Sequence, residues 1–447
     1  MIVRSKIAQI SPIPAPHFAA AHRAMQSLTS QGNILEALKA LHETLGDVFA
    51  LPLPGFRSIM LVGPEANRLL LNEERERFLW RSEGDPVTRL LRRGLLVVDG
   101  AFHDEVRQVM TPALHRSLFD GFIQTMWQST DRVTDRWHEG VRVDMFAEAR
   151  RIALLIVTEV FFGVDIRSDL DILWHDILRA IHYISPGPWL LWPGMPRPGY
   201  RRAVRHLDAY LSQIIAQRRT QGPATTDLLS RLIASGMRDE LIRDQLLTLL
   251  IAGHDTSTAL LAWTLYLLAT HPDILAHTQT EIDLVVGAEP PTQAHLRQLP
   301  YLERVIKESL RLYPPIHLGS RIAAADVAFR DYLIPAGTRV LYSIYLTHRD
   351  EKYWPAPTIF DPDRFAPAKA DHRPAYTFLP FGAGPRNCIG AAFAQVEAKI
   401  VLVRLLQRFA FHYVGGNVRP QMRATLEPNP GVLVEVRHRR HRQDDIT

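Results

Sequence analysis

Apolar residues recur at helical spacing along most of the chain, and short β-type runs bounded by Pro and Gly interrupt them. A Pro-rich opening, residues 1–25, reads as extended, and the first helical stretch is predicted near Gly32 to Leu45. Asp47 to Leu51 and Phe56 to Val62 read as a strand pair. Pro64 stands in the first turn of the helix that follows. Residues 80–98 mix Gly, Asp and Pro with apolar positions, which predicts a loop with little regular structure. From 115 to 183 the period is helical, until a Pro-rich stretch at 185–199 carrying Trp189 and Trp192 breaks it. Asp239 to Thr270 is apolar nearly all round, the pattern of a core helix, and at about 1.5 Å per residue it spans roughly 48 Å. Another apolar helix is predicted from Leu299 until Pro314 and Pro315 end it. Val327 to Val340 reads as a hairpin and a further strand, and Thr425 to Val436 as a C-terminal hairpin. The sum is a mainly α chain with a minor β portion, an α+β fold.

Length and charge narrow this picture. With 447 residues, 47% of them apolar, the chain can bury a large core. It lacks a Gly/Ser-rich linker, a low-complexity tract and an internal repeat, so one large domain over 26–436 is expected. The formal charge of +5 comes from 52 basic and 47 acidic residues. Only the tail, 437–447, concentrates cations (Arg437 to Arg442), and it reads as a solvated, disordered terminus. No nucleic-acid partner is expected, although a mildly basic surface suits docking of an acidic electron donor. A single cysteine rules out an internal disulfide and suits a reducing cytosol. Neither a transmembrane run of the required ~18–20 residues nor a signal segment is read, so a soluble, cytoplasmic protein is expected.

That cysteine, Cys388, lies in Phe378-Leu-Pro-Phe-Gly-Ala-Gly-Pro-Arg-Asn-Cys-Ile-Gly390. Gly382, Gly384 and Pro385 force the backbone to turn. An apolar helical run begins at Ala391, so the thiol stands at a helix N-terminus, where the dipole and free N–H groups favour a thiolate. Gly390 leaves room for a large planar group beside the sulfur. A free cysteine is most often a small buried hydrophobe. Against that stands the spacing F-x-x-G-x-R-x-C-x-G from Phe381 to Gly390, which resembles the haem-binding loop of the cytochrome P450 superfamily.

Three further motifs, in the same order and spacing, support the resemblance over roughly residues 40–436. Gly100-Ala-Phe-His-Asp-Glu-Val-Arg is similar to the family pattern G-x-x-[WH]-x-x-x-R. It implies that His103 and Arg107, four apart on one helical face, serve the haem propionates. Ala252-Gly-His-Asp-Thr matches A-G-x-D-T, where the family's helix opens locally beside the oxygen-binding face. An acid (Asp255) and a hydroxyl (Thr256) in a buried helix are costly unless hydrogen-bonded or functional. By resemblance they deliver protons to oxygen, while Ala252 and Gly253 let haem and substrate approach the backbone. Glu308-Ser-Leu-Arg311 with Pro362-Asp-Arg364-Phe matches E-x-x-R plus P-x-R-F, a structural network that fixes the cysteine loop. Arg321 and Arg386 complete the expected propionate partners, and Phe381, Gly382 and Gly390 the haem-contacting loop.

The resemblance implies the P450 fold and haem b (iron protoporphyrin IX) bound through Cys388. It further implies insertion of one atom of O2 into an apolar substrate, by hydroxylation or epoxidation. Electrons would come from a separate ferredoxin or flavoprotein reductase, since no G-x-G-x-x-G follows a strand here. Two alternatives stand beside it: a non-enzymatic thiolate-haem sensor or carrier, and a peroxide-using or isomerase-type member of the same family. Asp255 and Thr256 favour the oxygen-activating kind. The pocket walls are expected from 80–98, a lid at 185–200, residues 316–320 and the C-terminal hairpin.

Overall fold

The helix Asp239–Thr270 runs through the interior, and the remaining elements are arranged around it. In the computed structural model, residues 10–53, 56–187, 189, 195–221, 227–370 and 372–439 are described. Asp239 and Glu240 occupy the helix's first turn, where the dipole favours anions, and Pro272 follows its end. By length and composition it could cross a membrane, contrary to the expectation that no such run exists. Yet 83% of its most apolar window is buried inside the protein, so the apolar surround is protein core. Its threonines turn inward on their own backbone: Thr248, Thr256, Thr258 and Thr264 each donate to the carbonyl four residues earlier. The helix stays unbroken through Ala252–Thr256, where the family pattern implied a local opening. The Thr256 hydroxyl takes up the Ala252 carbonyl at 2.8 Å.

Helices Met145–Val157, Tyr200–Gln221, Pro300–Leu312 and Ala391–Arg408 pack against this one and share the largest apolar cluster. At one side lies a five-stranded sheet in the order 48–53, 56–61, 339–343, 318–323 and 78–79. Its only parallel pair is 56–61 with 339–343. A three-stranded sheet joins Arg142–Asp144, Leu433–His438 and Phe409–Tyr413, and two-strand ribbons form at 419–422/426–429 and 327–329/332–334.

Several expectations change here. The opening is not extended to residue 25: a helix runs from Phe18 to Gln31, capped by His17 accepting from the Ala20 N–H. The prolines stop at Pro16, and Ala20 and Ala24 pack on Leu35 and Leu38 of the next helix. Residues 80–98 contain a helix, Pro86–Leu91, because Asp85 caps it and Pro86 takes its first position. The strand Arg142–Asp144 interrupts the helical 115–183 region. The expected C-terminal hairpin does not form. Leu426–Asn429 pairs with Arg419–Met422, whereas Leu433–His438 pairs with strands about 290 and 25 residues upstream. That last strand carries Arg437 and His438 out of the supposed tail, and Arg439 pairs with Asp283. The rest of that tail, 440–447, and Trp192 of the expected lid lie outside the described residues.

Candidate functional site

Cys388 is delivered by a turn that only glycine can make. Gly382 and Gly384 have φ of +70° and +68°, and a Cβ on Gly384 would sit 2.1 Å from the Leu71 carbonyl oxygen. The Cys388 N–H donates to the Phe381 carbonyl at 2.8 Å, closing the loop on itself. The thiol opens onto an internal cavity of about 330 Å³, so it is accessible there while protein surrounds the rest of the residue. Burial pushes the Cys388 thiol up; the Gly390 N–H and the positive Arg107 offset this only in part. Around the metal-free thiol, burial outweighs the favourable pull of the helix start, and a bound metal cation would favour the thiolate. A Cβ on Gly390 would lie 3.9 Å from the sulfur, so the face beside it is clear.

The loop is braced from behind. Glu308 and Arg311, both fully buried, form a two-point ion pair at 2.7 Å, and Arg364 reaches Glu308 at 3.2 Å. Arg311 also donates to the carbonyls of His348 and Pro357, and Arg364 to that of Ala356. His348 then accepts the Leu379 N–H through Nε2 at 2.9 Å, which ties the network to the start of the cysteine loop. None of the three charged residues lines the cavity.

Basic side chains gather at one end of the cavity. His103, Arg107, Arg321 and Arg386 all line it, as do Phe381 and Gly382. Arg107 donates to the carbonyl and the side-chain oxygen of Asn387, the residue before the cysteine, at 3.0 and 2.8 Å. His103 contacts Asp104 at 2.8 Å, while burial and the positive Arg386 hold its imidazole below the ordinary value. Arg386 is bonded to Asp99 and to the Val98 carbonyl. Arg321 is only 5% exposed and donates to the Ser320 carbonyl. Among the described residues no carboxylate forms an ion pair with it.

Trp80, missed by sequence reading, lies between the two: its ring centroid is 3.7 Å from the Arg321 guanidinium and 4.6 Å from that of Arg386. Among the described residues its buried indole N–H finds no partner. A buried cation lacking a counter-charge is strongly disfavoured. Together with the orphaned N–H, it fits a planar group that brings carboxylates to this end and a metal to the sulfur.

The central helix forms the opposite wall with Ala252, Asp255 and Thr256. Gly253 faces elsewhere: a Cβ there would lie 3.2 Å from Val157, so its small size serves helix packing and not approach from the cavity. At 100° per residue, positions 252 and 256 share a face and 253 does not. Asp255, 2% exposed, accepts from Arg150 at 2.9 Å and from the Thr425 hydroxyl at 3.0 Å. These partners stand 105 and 170 residues away in sequence, and no local pattern announces them. The apolar walls come from 87–96, 316–318 and 344, with Ala424 and Thr425 at the C-terminal end. Ile184 also lines the cavity, and Trp189 donates to the Ser185 carbonyl beside it.

Comparison with known proteins gives a consistent result. The family model described as Cytochrome P450 matches residues 13–436. Cytochrome P450 139 of Mycobacterium tuberculosis is 32% identical over 419 residues, 90% of this chain and 97% of that one. Cyclooctat-9-en-7-ol 5-monooxygenase of Streptomyces melanosporofaciens is 30% identical over 386 residues, covering 83% and 84%. The structure of retinoic-acid-bound cyanobacterial CYP120A1 superposes with a TM-score of 0.84 at 27% identity, covering 96% of this chain and all of that one.

Proposed function

The chain belongs to the cytochrome P450 family, a haem-thiolate monooxygenase family, and we propose that it hydroxylates or epoxidises a bulky, apolar small molecule. One observation carries the reading. The chain's single cysteine opens into an apolar cavity with cations at one end and an acid and a hydroxyl across from it. Retinoic acid, named for the structural neighbour, and the cyclooctatenol of the Streptomyces enzyme are both largely hydrocarbon, in keeping with these walls.

Cys388 would hold the iron of haem b, and Arg321, Arg386, Arg107, His103 and the Trp80 N–H would receive its two propionates. Phe381, Gly382 and Gly390 belong to the loop that would support the ring. When bound, the haem supplies activation of O2 and transfer of one oxygen atom. The protein's own residues do the rest. Apolar walls hold the substrate and exclude water. The Thr256 hydroxyl, on the cavity wall, donates to Ala252 and has lone pairs left to accept from a proton donor. Asp255 passes protons inward, for which it must loosen its hold on Arg150 or Thr425. Glu308, Arg311 and Arg364 touch none of the reacting groups and keep the cysteine loop in place. Electrons come from a separate ferredoxin or flavoprotein reductase, and a chain with a single cysteine suits a cytoplasmic site. An acid and a hydroxyl at the cavity favour O2 as oxidant over a peroxide-using or isomerase-type reaction.

The test is Cys388→Ala. The reduced protein with carbon monoxide is expected to lose its thiolate-type Soret band, and a variant that kept the band would remove the assignment.

A further inference from the structure

Asp255 belongs to a larger buried cluster whose other members the reaction has not used. The Arg150 nitrogen that donates to Asp255 at 2.9 Å also lies 3.5 Å from Glu427, which is 8% exposed. Arg150 itself is 6% exposed, its guanidinium 4.6 Å from the Phe146 ring centroid, so it is held between the two acids. Glu427 has one further cation, Arg423 at 3.4 Å, which is partly exposed. His254 on the central helix is neutral, its imidazole pushed down to about 4 by burial. Across the ribbon Glu427 faces Gln421, which carries no charge. The charged groups facing Glu427 are thus Arg150, Arg423 and Asp255.

We propose that Glu427 is a positioning residue for Asp255, competing for Arg150 and so setting how firmly the Asp255 carboxylate is tied down at the cavity wall. This rests on the reading that Asp255 passes protons inward. When Glu427 is neutral, Arg150 has one anion in reach and pins Asp255. Ionised Glu427 draws on the same nitrogen and weakens that hold, leaving Thr425 as the remaining tie. Burial, and the negative Asp255, raise Glu427 to about 7, so the exchange falls within the working pH range. No bond is made or broken; one guanidinium is shared differently between two carboxylates.

The experiment follows the fraction of NADPH electrons released as hydrogen peroxide. A plant-type ferredoxin with its reductase serves as donor and lauric acid as probe substrate, from about pH 6 to about pH 8.5. In the native protein the peroxide fraction is expected to fall, roughly twofold or more, as pH rises through the Glu427 midpoint. Glu427→Gln stays at the low-pH level throughout, and Glu427→Asp restores the pH response. Arg423→Gln, which removes a cation from Glu427, moves the midpoint upward. A native profile flat in pH would overturn the proposal, as would a Glu427→Gln profile that follows the native one while Asp255→Asn raises peroxide. The second result leaves the proton role of Asp255 intact. An Asp255→Asn protein that matches the native one at every pH removes that role, and the proposal with it. Should Glu427→Gln fail to give the carbon monoxide band, an unshifted midpoint in Arg423→Gln overturns the proposal by itself.

Discussion

Glu397 shows how one buried side chain leaves a signature in the whole protein's stability. It is 1% exposed on the helix that follows Cys388, accepts from the Ser257 hydroxyl at 2.6 Å, and has its other oxygen unpartnered. Burial pushes its carboxyl up to about 8. Unfolded, the same group ionises near its ordinary value of 4.5. Between those two values the native state holds a proton that the unfolded chain has lost, so this group's contribution shrinks as pH rises through the interval. The slope is about 1.4 kcal/mol per pH unit at most. In Glu397→Gln that slope is expected to vanish, so the difference in denaturation midpoint between variant and native protein grows in the variant's favour from about pH 5 to about pH 8. A parallel pair of stability–pH curves would contradict a neutral Glu397. Position 397 is visible in sequence only as a polar break in an apolar run; its protonation comes from burial in the assembled core, which the Ser257 hydroxyl opposes only in part and which no spacing rule supplies.

At the scale of elements, the helix Pro300–Leu312 is held to the region before the cysteine loop by charge as well as by apolar contact. Its E-x-x-R pair is legible in sequence, and in isolation would be worth only a few tenths of a kcal/mol on a solvated face. The structure changes that weight by burying Glu308 and Arg311 completely and adding Arg364 and three carbonyls. Arg311→Ala leaves a buried carboxylate without its main partner and is expected to cost about 3–5 kcal/mol, read as a lower denaturant midpoint. Glu308→Ala combined with Arg311→Ala should cost less than the sum of the two single changes. Additive losses would mean that the two side chains do not act as a unit. Other elements were less legible. The helix Phe18–Gln31 hides behind prolines that stop just short of it, and Pro86–Leu91 behind a segment rich in turn-forming residues. In both cases a single cap residue, His17 or Asp85, decided the outcome.

For the molecule as a whole, the proposed haem site would couple cofactor and core through Arg321. In the haem-free protein this buried guanidinium has no carboxylate partner among the described residues, and burial pulls its ionisation below the ordinary range. If haem binds as proposed, its carboxylates reach that end, so loading should raise the melting temperature, by about 4 kcal/mol equivalent at a thousandfold excess over Kd. Arg321→Met is expected to leave the haem-free protein as stable or more so, and to shrink the gain on loading. A loss of stability equal in both states would show instead that Arg321 is needed by the fold and not by the cofactor.

The motif spacings, the 32-residue central helix and the mainly helical class followed from the sequence alone, because each depends on neighbours within a turn or two of the same chain segment. Tertiary structure alone decided that Asp255 is shared with Arg150 and Thr425, that Trp80 lies between two arginines, and that the last two strands pair with others and not with one another. Apart from the local 419–422/426–429 ribbon, those are contacts between residues tens to hundreds of positions apart. Burial sets their strength, and burial is a property of the assembled core.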